Sequence, residues 1–337
     1  MFVEREWGKG VVSLIRFGKR TALSVLGQIA SFGARRYIAG RSCDDALTVY
    51  EAEGKKGHNQ FIICPWDRPE ETPAEVHRSY RDALEHLLRI QPFDCYLSVK
   101  FPSLGFDLGR VQELVQEAAK GEIRVHFDAL LPDSVDRTLK MLEVLRPHFS
   151  NLGYTIPSRW KRSVEDLERL IALHLPVRLV KGQLPDRASG EVEPRGGCHT
   201  LARMLQGYAG VVGIASHDAA LVMQIEEILQ EGKTPYEVEQ LFRLPPVSIS
   251  SGAKIRWYVP YGYGYPPYDV STAVKSSKMV CRMIGDVGAG LVLCLQDFYL
   301  SQLTGGWDKE EGMKCAAPAV PEYIKKDGGF RRREDIT

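Results

Sequence analysis

From residue 59 onward the chain alternates short apolar runs with longer stretches of helical period. The runs predict strands over 59–64, 95–101, 123–128, 151–156, 176–181, 211–216 and 254–259, with a weaker one over 237–242. Between them, apolar residues recurring at three- and four-residue spacing predict helices over 73–90, 108–119, 133–147, 163–173, 218–230 and 270–285. Eight strands alternating with helices imply the α/β class and a (β/α)8 TIM-like barrel. The expected organisation is a helical segment over 1–58 packed on the barrel, the barrel itself over 59–303, and a tail over 304–337 rich in charge, Gly and Pro. Residues 10–38 mix apolar positions with Arg16, Lys19, Arg20, Arg35 and Arg36 at helical spacing, which reads as amphipathic helices on the barrel. Attachment to a membrane surface is the competing reading.

A barrel of this type collects its chemistry at the carboxyl ends of the strands, where the βα loops share one face. Polar residues fall there: Lys100, Asp128, Arg178, Lys181, Ser216, His217 and Tyr258. Side chains alternate along a strand, so Arg124, His126 and Asp128 point to one side, placing the first two in the lumen beneath the third. Lys100 and Asp128 stand at similar height on adjacent strands and are expected to face one another across the mouth. Arg178 and Lys181 are three apart and lie on opposite sides unless the strand ends between them. After the last strand, tyrosines 258, 261, 263, 265 and 268 alternate with Gly and Pro, a flat-sided wall suited to a small ring.

Composition narrows the classes. With 337 residues, 44% hydrophobic and 26% charged, the chain reads as one large globular domain. A formal net charge of +1 gives no electrostatic case for a nucleic-acid partner. The cysteines at 43, 64, 95, 198, 281, 294 and 315 show no CxxC pairing and several sit in apolar runs, so reduced buried thiols and no metal are expected. Cys198-His199 is too little for a metal site, and Gly196-Gly197 in EPRGGCH reads as a flexible βα loop. No GxGxxG or GxxxxGK loop supports an unrelated phosphate-binding barrel. The acidic start Met-Phe-Val-Glu-Arg-Glu lacks the apolar core of a signal peptide, and no apolar run reaches the ~18 residues of a membrane span. A cytoplasmic location follows as the expectation, with peripheral contact to the inner face of the membrane as the alternative.

Seven segments in order, ARRYIAG (34–40), YLSVKFPSLGFDLG (96–109), Asp128-Ala129, NLGYTIPSRWKRSVEDLERL (151–170), VRLVKG (177–182), ASHD (215–218) and IRWYVPYG (255–262), resemble proline dehydrogenases. The pairing of VRLVKG with a later YVPYG carries most of the specificity. The resemblance implies a barrel that binds FAD non-covalently and oxidises a proline-like or related amine or imino acid by hydride transfer from a C–N bond, with membrane quinone as the usual electron acceptor. By position it implies that Arg178, Lys181, Ser216 and His217 contact the flavin. It likewise implies that Lys100 and Asp128 form a polar pair at the substrate pocket, with Tyr258 and Tyr268 packed around the substrate ring. A fixed cation near the flavin would stabilise negative charge that develops there.

The sequence also departs from the family. Where the family carries RRxxEN on the last barrel helix, this chain has Ser271, Thr272, Lys275 and Ser276, so the arginine pair that grips the substrate carboxylate is absent. Pro157 replaces the Gln of LQAY, Arg159 an aromatic two positions on, and Glu239 falls near the Gln of FEFQ. Arg68 and Arg159 add cations at the active face. The alternative to a flavoenzyme is a catalytically silent barrel of the same type acting as a binding or scaffold protein.

Overall fold

The computed structural model describes residues 38–262 apart from 69, 91–93, 183, 245, 248, 250 and 251. The expected helix over 270–285, Tyr268, the positions aligned with RRxxEN, most of the 1–58 segment and the 304–337 tail lie outside the described residues.

Eight parallel strands close in sequential order, β1 Gln60–Trp66, β2 Asp94–Val99, β3 Arg124–Phe127, β4 Leu152–Pro157, β5 Val177–Val180, β6 Val212–Ala215, β7 Tyr236–Leu241 and β8 Ile255–Gly262. The helices are α1 Cys43–Gly54, α2 Pro73–Arg89, α3 Leu108–Ala119, α4 Val135–Leu145, α5 Ser163–Ala172, α6 Pro194–Met204 and α7 Ala219–Glu231. Among the described residues no helix separates β7 from β8.

Local chemistry starts the helices where the hydrophobic period begins. Thr72 caps α2 in a reciprocal capping box with Glu75, and Pro73 occupies the first turn, where its missing N–H costs nothing. Asp107 and Asp218 cap α3 and α7 by accepting from the backbone N–H groups of Arg110 and Leu221. Strand residues Leu97, Val125, Tyr154, Leu179, Ile214 and Val238 pack outward against Leu84, Leu114, Leu142, Leu167, Leu201 and Ile225 of the helices, forming one buried layer. The opposite strand positions carry Ser98, His126, Thr155, Arg178, Glu237, Glu239 and Arg256, so the lumen of this barrel is polar.

Two expectations from the sequence change. The segment EPRGGCH belongs to α6 and is no flexible loop: Glu193 caps it by accepting from the N–H groups of Arg195 and Gly196, and Pro194 pre-sets its first turn. Gly197 is there for closeness, because a Cβ at that position would stand 2.2 Å from the Ser158 carbonyl oxygen. Tyr258 lies within β8 and does not end it; the strand runs on to Gly262, whose N–H donates to the Gly40 carbonyl at 3.0 Å. The weak strand near 237–242 is a full member of the sheet, registered against both neighbours.

Candidate active site

Arg178 organises the barrel mouth. Its strand ends at Val180, so Arg178 points into the lumen while Lys181 leaves with the loop, the outcome that three-residue spacing requires. Arg178 Nη1 donates to Asp128 Oδ1 at 2.6 Å and to Thr155 Oγ1 at 3.3 Å, and its Nε donates to Glu239 Oε2. Asp128 Oδ2 accepts from Ser98 Oγ at 2.7 Å and from the Tyr258 hydroxyl at 3.2 Å. The Arg178 guanidinium lies 5.5 Å from the centroid of the Tyr258 ring. With Thr155 Oγ1 also 3.3 Å from Asp128 Oδ1, four strands of the barrel wall converge on one carboxylate.

Room for this network comes from a missing side chain. Gly213, on β6 beside Arg178, faces Glu239, and a Cβ there would stand 2.3 Å from Glu239 Oε1. Arg178 is 3% exposed and Glu239 is 3% exposed, so their charges meet with little water between them. Burial, together with the like charge of Glu237, raises the Glu239 carboxyl above its ordinary pKa despite Arg178. Below the network His126 rests its Nε2 against Thr155 Oγ1 at 3.2 Å, and burial plus the charges of Arg178, Arg124 and Arg256 holds it well below the ordinary histidine range. Arg124 lies 4.0 Å from the centroid of Tyr96, so the expected stack of Arg124 and His126 beneath Asp128 is present in the lumen.

Lys100 is buried beside this centre, but its partner differs from the expected one. Its ammonium donates to the Pro65 carbonyl at 3.2 Å and to Asp67 Oδ1 at 3.3 Å, while Asp128 turns to Arg178. The Pro65 carbonyl oxygen and Asp67 at the carboxyl end of β1 meet the Lys100 ammonium, while Arg178 Nη1 takes Asp128 Oδ1. Burial opposes the lysine's charge, and its surroundings, Tyr80 and Cys64 first and then Asp67 and Asp128, more than offset it. The ammonium is held above its ordinary pKa.

The other expected flavin contacts sit on the same face with local partners. Lys181 Nζ lies 3.3 Å from Asp218 Oδ2, a carboxylate that also receives Arg195 Nη1. Ser216 Oγ accepts from the Asp218 N–H at 3.1 Å. His217 Nε2 accepts from the Leu241 N–H at 2.9 Å, which ties β6 to the end of β7 and puts the proton of the neutral ring on Nδ1. Of the two added cations, Arg159 donates to Glu191 Oε2 at 3.3 Å, and Arg68 stands 4.0 Å from Glu71. Sequence reasoning missed Thr155, Ser98 and Asp67 as members of the site, and noted Glu239 only as falling near the Gln of FEFQ, without a role. For Glu239 the signal was present, since Glu237 and Glu239 alternate with Val238 and so share the lumenal side.

The class defined by this geometry is a (β/α)8 barrel whose polar lumen opens into a charged mouth at the carboxyl ends of the strands. No family model matches the chain. It is 23% identical over 255 residues to proline dehydrogenase 1 of Bacillus subtilis subsp. natto, covering 70% of this chain and 84% of that protein. The same protein of Bacillus subtilis strain 168 is 22% identical over the same coverage. Among solved structures, proline utilization A of Bdellovibrio bacteriovorus, inactivated by N-propargylglycine, superposes with a TM-score of 0.62 at 17% identity. That match covers 75% of this chain and 32% of the other, so this chain spans about a third of the larger protein's length. A proline utilization A variant from Bradyrhizobium japonicum gives a TM-score of 0.55 at 18% identity, over 68% of this chain and 28% of that one. Over about 70% of its length the chain is thus similar to bacterial proline dehydrogenases, and its barrel fold to that of proline utilization A.

Proposed function

We propose that this protein is a flavin-dependent oxidoreductase of the proline dehydrogenase type acting on a proline-like or related amine. The observation that carries the reading is Arg178: a buried guanidinium clamped by two carboxylates at the mouth, whose Nη2 has no hydrogen-bond partner. A buried charged donor left open is costly unless a ligand accepts from it. This donor set fits FAD: Arg178 Nη2 would donate to an acceptor on the flavin, and Lys181 and Arg195, which share Asp218, would supply cations for its diphosphate. When bound, FAD supplies the acceptor for a hydride removed from the carbon next to the substrate nitrogen, as the C–N bond becomes C=N.

The protein's own residues do the positioning. Asp128 and Glu239 hold Arg178 in one orientation, so it needs no rearrangement to meet an acceptor. Asp128 also fixes the Tyr258 hydroxyl, presenting the flat face of that ring to the pocket. Lys100 contributes a fixed positive charge beside them. Membrane quinone as the final acceptor, and the flavin roles of Ser216 and His217, belong to this proposal as well.

The substrate reading rests on positions 271 and 272, where Ser and Thr stand in place of the arginine pair. Neutral hydrogen bonds contribute about 0.5–1.5 kcal/mol against about 1.5–3 for charge-assisted ones. L-Proline should therefore bind more weakly than amines lacking an adjacent carboxylate. The test is FAD titration followed by anaerobic addition of L-proline, N-alkyl amines and cyclic imino compounds, read by bleaching of the flavin band. Arg178→Ala should weaken FAD binding at least about tenfold, whichever substrate is right, because a charge-assisted hydrogen bond contributes about 1.5–3 kcal/mol. Failure to bind FAD at all would end the oxidoreductase reading, and efficient bleaching by L-proline would end the altered-substrate one.

A further inference from the structure

Outside the barrel mouth, one cluster of potential ligands has no role in the chemistry above. Cys43 at the start of α1, with Asp82 and His86 one turn apart on α2, bring a sulfur, a carboxylate oxygen and an imidazole nitrogen within 4.8 Å of one another. Asp44 adds a second carboxylate, its Oδ1 3.3 Å from His86 Nε2. The imidazole is already oriented: His86 Nδ1 donates to the Asp82 backbone carbonyl at 2.8 Å and stands 3.7 Å from Asp82 Oδ1, which leaves Nε2, on the side of Asp44, as the nitrogen to ligate. A carbonyl holding the far nitrogen is how metal-ligating histidines are commonly fixed.

A second observation points to a ligand. The Tyr261 side chain, 5% exposed, adjoins Cys43, and its hydroxyl finds no other hydrogen-bond partner. A thiol is a weak acceptor for that buried phenol, whereas a metal-bound thiolate is a strong one. Binding a cation at Cys43 would therefore satisfy a donor that the fold leaves wanting.

We infer that Cys43, Asp82 and His86, with Asp44 as a fourth oxygen, form a binding site for a thiophilic divalent cation of the Zn2+ type. The donor set is mixed S, N and O, suited to tetrahedral Zn2+ and less suited to Mg2+ or Ca2+, which take oxygen. Around such an ion neighbouring ligand atoms stand roughly 3.3–3.6 Å apart, from the bond lengths of tetrahedral zinc. The His86–Asp44 edge already has this length, the exposed Asp82 side chain can rotate to shorten its own edges, and the Cys43–His86 edge must close by a small shift of α1 against α2. The bound ion joins α1 to α2 and, through Tyr261, to the end of β8. Spacing in the sequence hid the site because Cys43 lies about forty positions from its partners on another helix.

The test uses the full chain stripped with chelator and then titrated with Co2+ and Zn2+. The expected result is saturation at one equivalent, a thiolate-to-cobalt charge-transfer band, its displacement by Zn2+, and a rise in melting temperature with Zn2+. Cys43→Ser abolishes the band, and Asp82→Asn lowers affinity at least about tenfold. Because Cys43 is buried and its replacement risks the fold, His86→Ala, on a half-buried side chain, decides independently by losing both the band and the thermal shift. Absence of the band in the wild-type chain, or its persistence in the His86→Ala protein, overturns the site.

Discussion

Removing the carboxylate of Asp128 should destabilise the barrel far more than neutralising it in place. Asp128→Ala takes away the acceptor for Ser98 Oγ at 2.7 Å, Arg178 Nη1 at 2.6 Å and the Tyr258 hydroxyl at 3.2 Å in one step. Breaking a buried ion pair by deleting one partner costs about 3–5 kcal/mol. Glu239 still faces Arg178, and the Asp128 side chain is 17% exposed, so the lower end, about 3 kcal/mol, applies here. Asp128→Asn keeps an oxygen for Arg178, and the hydroxyls of Ser98 and Tyr258 can rotate to accept from its amide, so about 1–1.5 kcal/mol is expected. In urea denaturation, with a slope of about 2–3 kcal/mol/M, the Ala variant's midpoint should fall by about 1 M or more, and the Asn variant's by about half that or less. The slope itself should not change. If the two variants unfold within about 0.5 kcal/mol of each other, charge and acceptor geometry at Asp128 do not hold the mouth together, and the role given to Arg178 loses its support.

Glu239→Gln should change the pH dependence of stability. Because the folded carboxyl is raised above 4.5, the wild type's contribution from this group is present below that value and lost as pH rises through the folded pKa, so the Gln variant should gain relative to wild type over that interval in paired denaturation curves. His126 runs the other way: its folded pKa lies well below 6.5, so its contribution is present above that value and lost as pH falls beneath it, and NMR should show its ring neutral where the exposed histidines titrate. Gly213→Ala forces Glu239 off Arg178 and should cost about 1–3 kcal/mol while weakening any ligand that Arg178 holds; a neutral substitution by thermal melting would mean that Glu239 has room to spare.

Most of the barrel was legible because its strands are apolar runs of β-branched and aromatic residues, and because its outer layer obeys a strict period of two. The exceptions share a cause. Tyr236–Leu241 reads weakly as a strand since its lumenal positions are glutamates, stabilised by arginines on strands distant in sequence. Segment 194–204 hid its helix behind Pro and two Gly residues, which a proline-tolerant first turn and a close contact with Ser158 explain only once the fold is known. At the site, position along a strand put Asp128, Arg178 and Tyr258 on one face of the barrel, where Asp128 bonds to both of the others. It did not foresee which cation Asp128 would choose, because side-chain reach across a barrel depends on how the strand ends bend. Asp67 stood beyond inference for the same reason.

The seam between β1 and β8 sets the order in which this protein can become whole. Six registered pairs, from Phe61↔Trp257 to Trp66↔Gly262, close the cylinder, and Arg256 pins it by reaching the Phe61 carbonyl, 195 positions away. Joining points so far apart carries a loop-closure entropy of about 5 kcal/mol beyond a constant, the largest of any strand pairing here. During synthesis the first seven strands must wait as an open sheet with bare N–H and C=O groups along β1 and β7 until residues 255–262 emerge. That interval is when the nascent chain is most open to pairing with a second copy of itself. A chain cut before β8 would stay in that state, so loss of this one strand should yield insoluble protein where loss of a peripheral helix yields only a weaker fold.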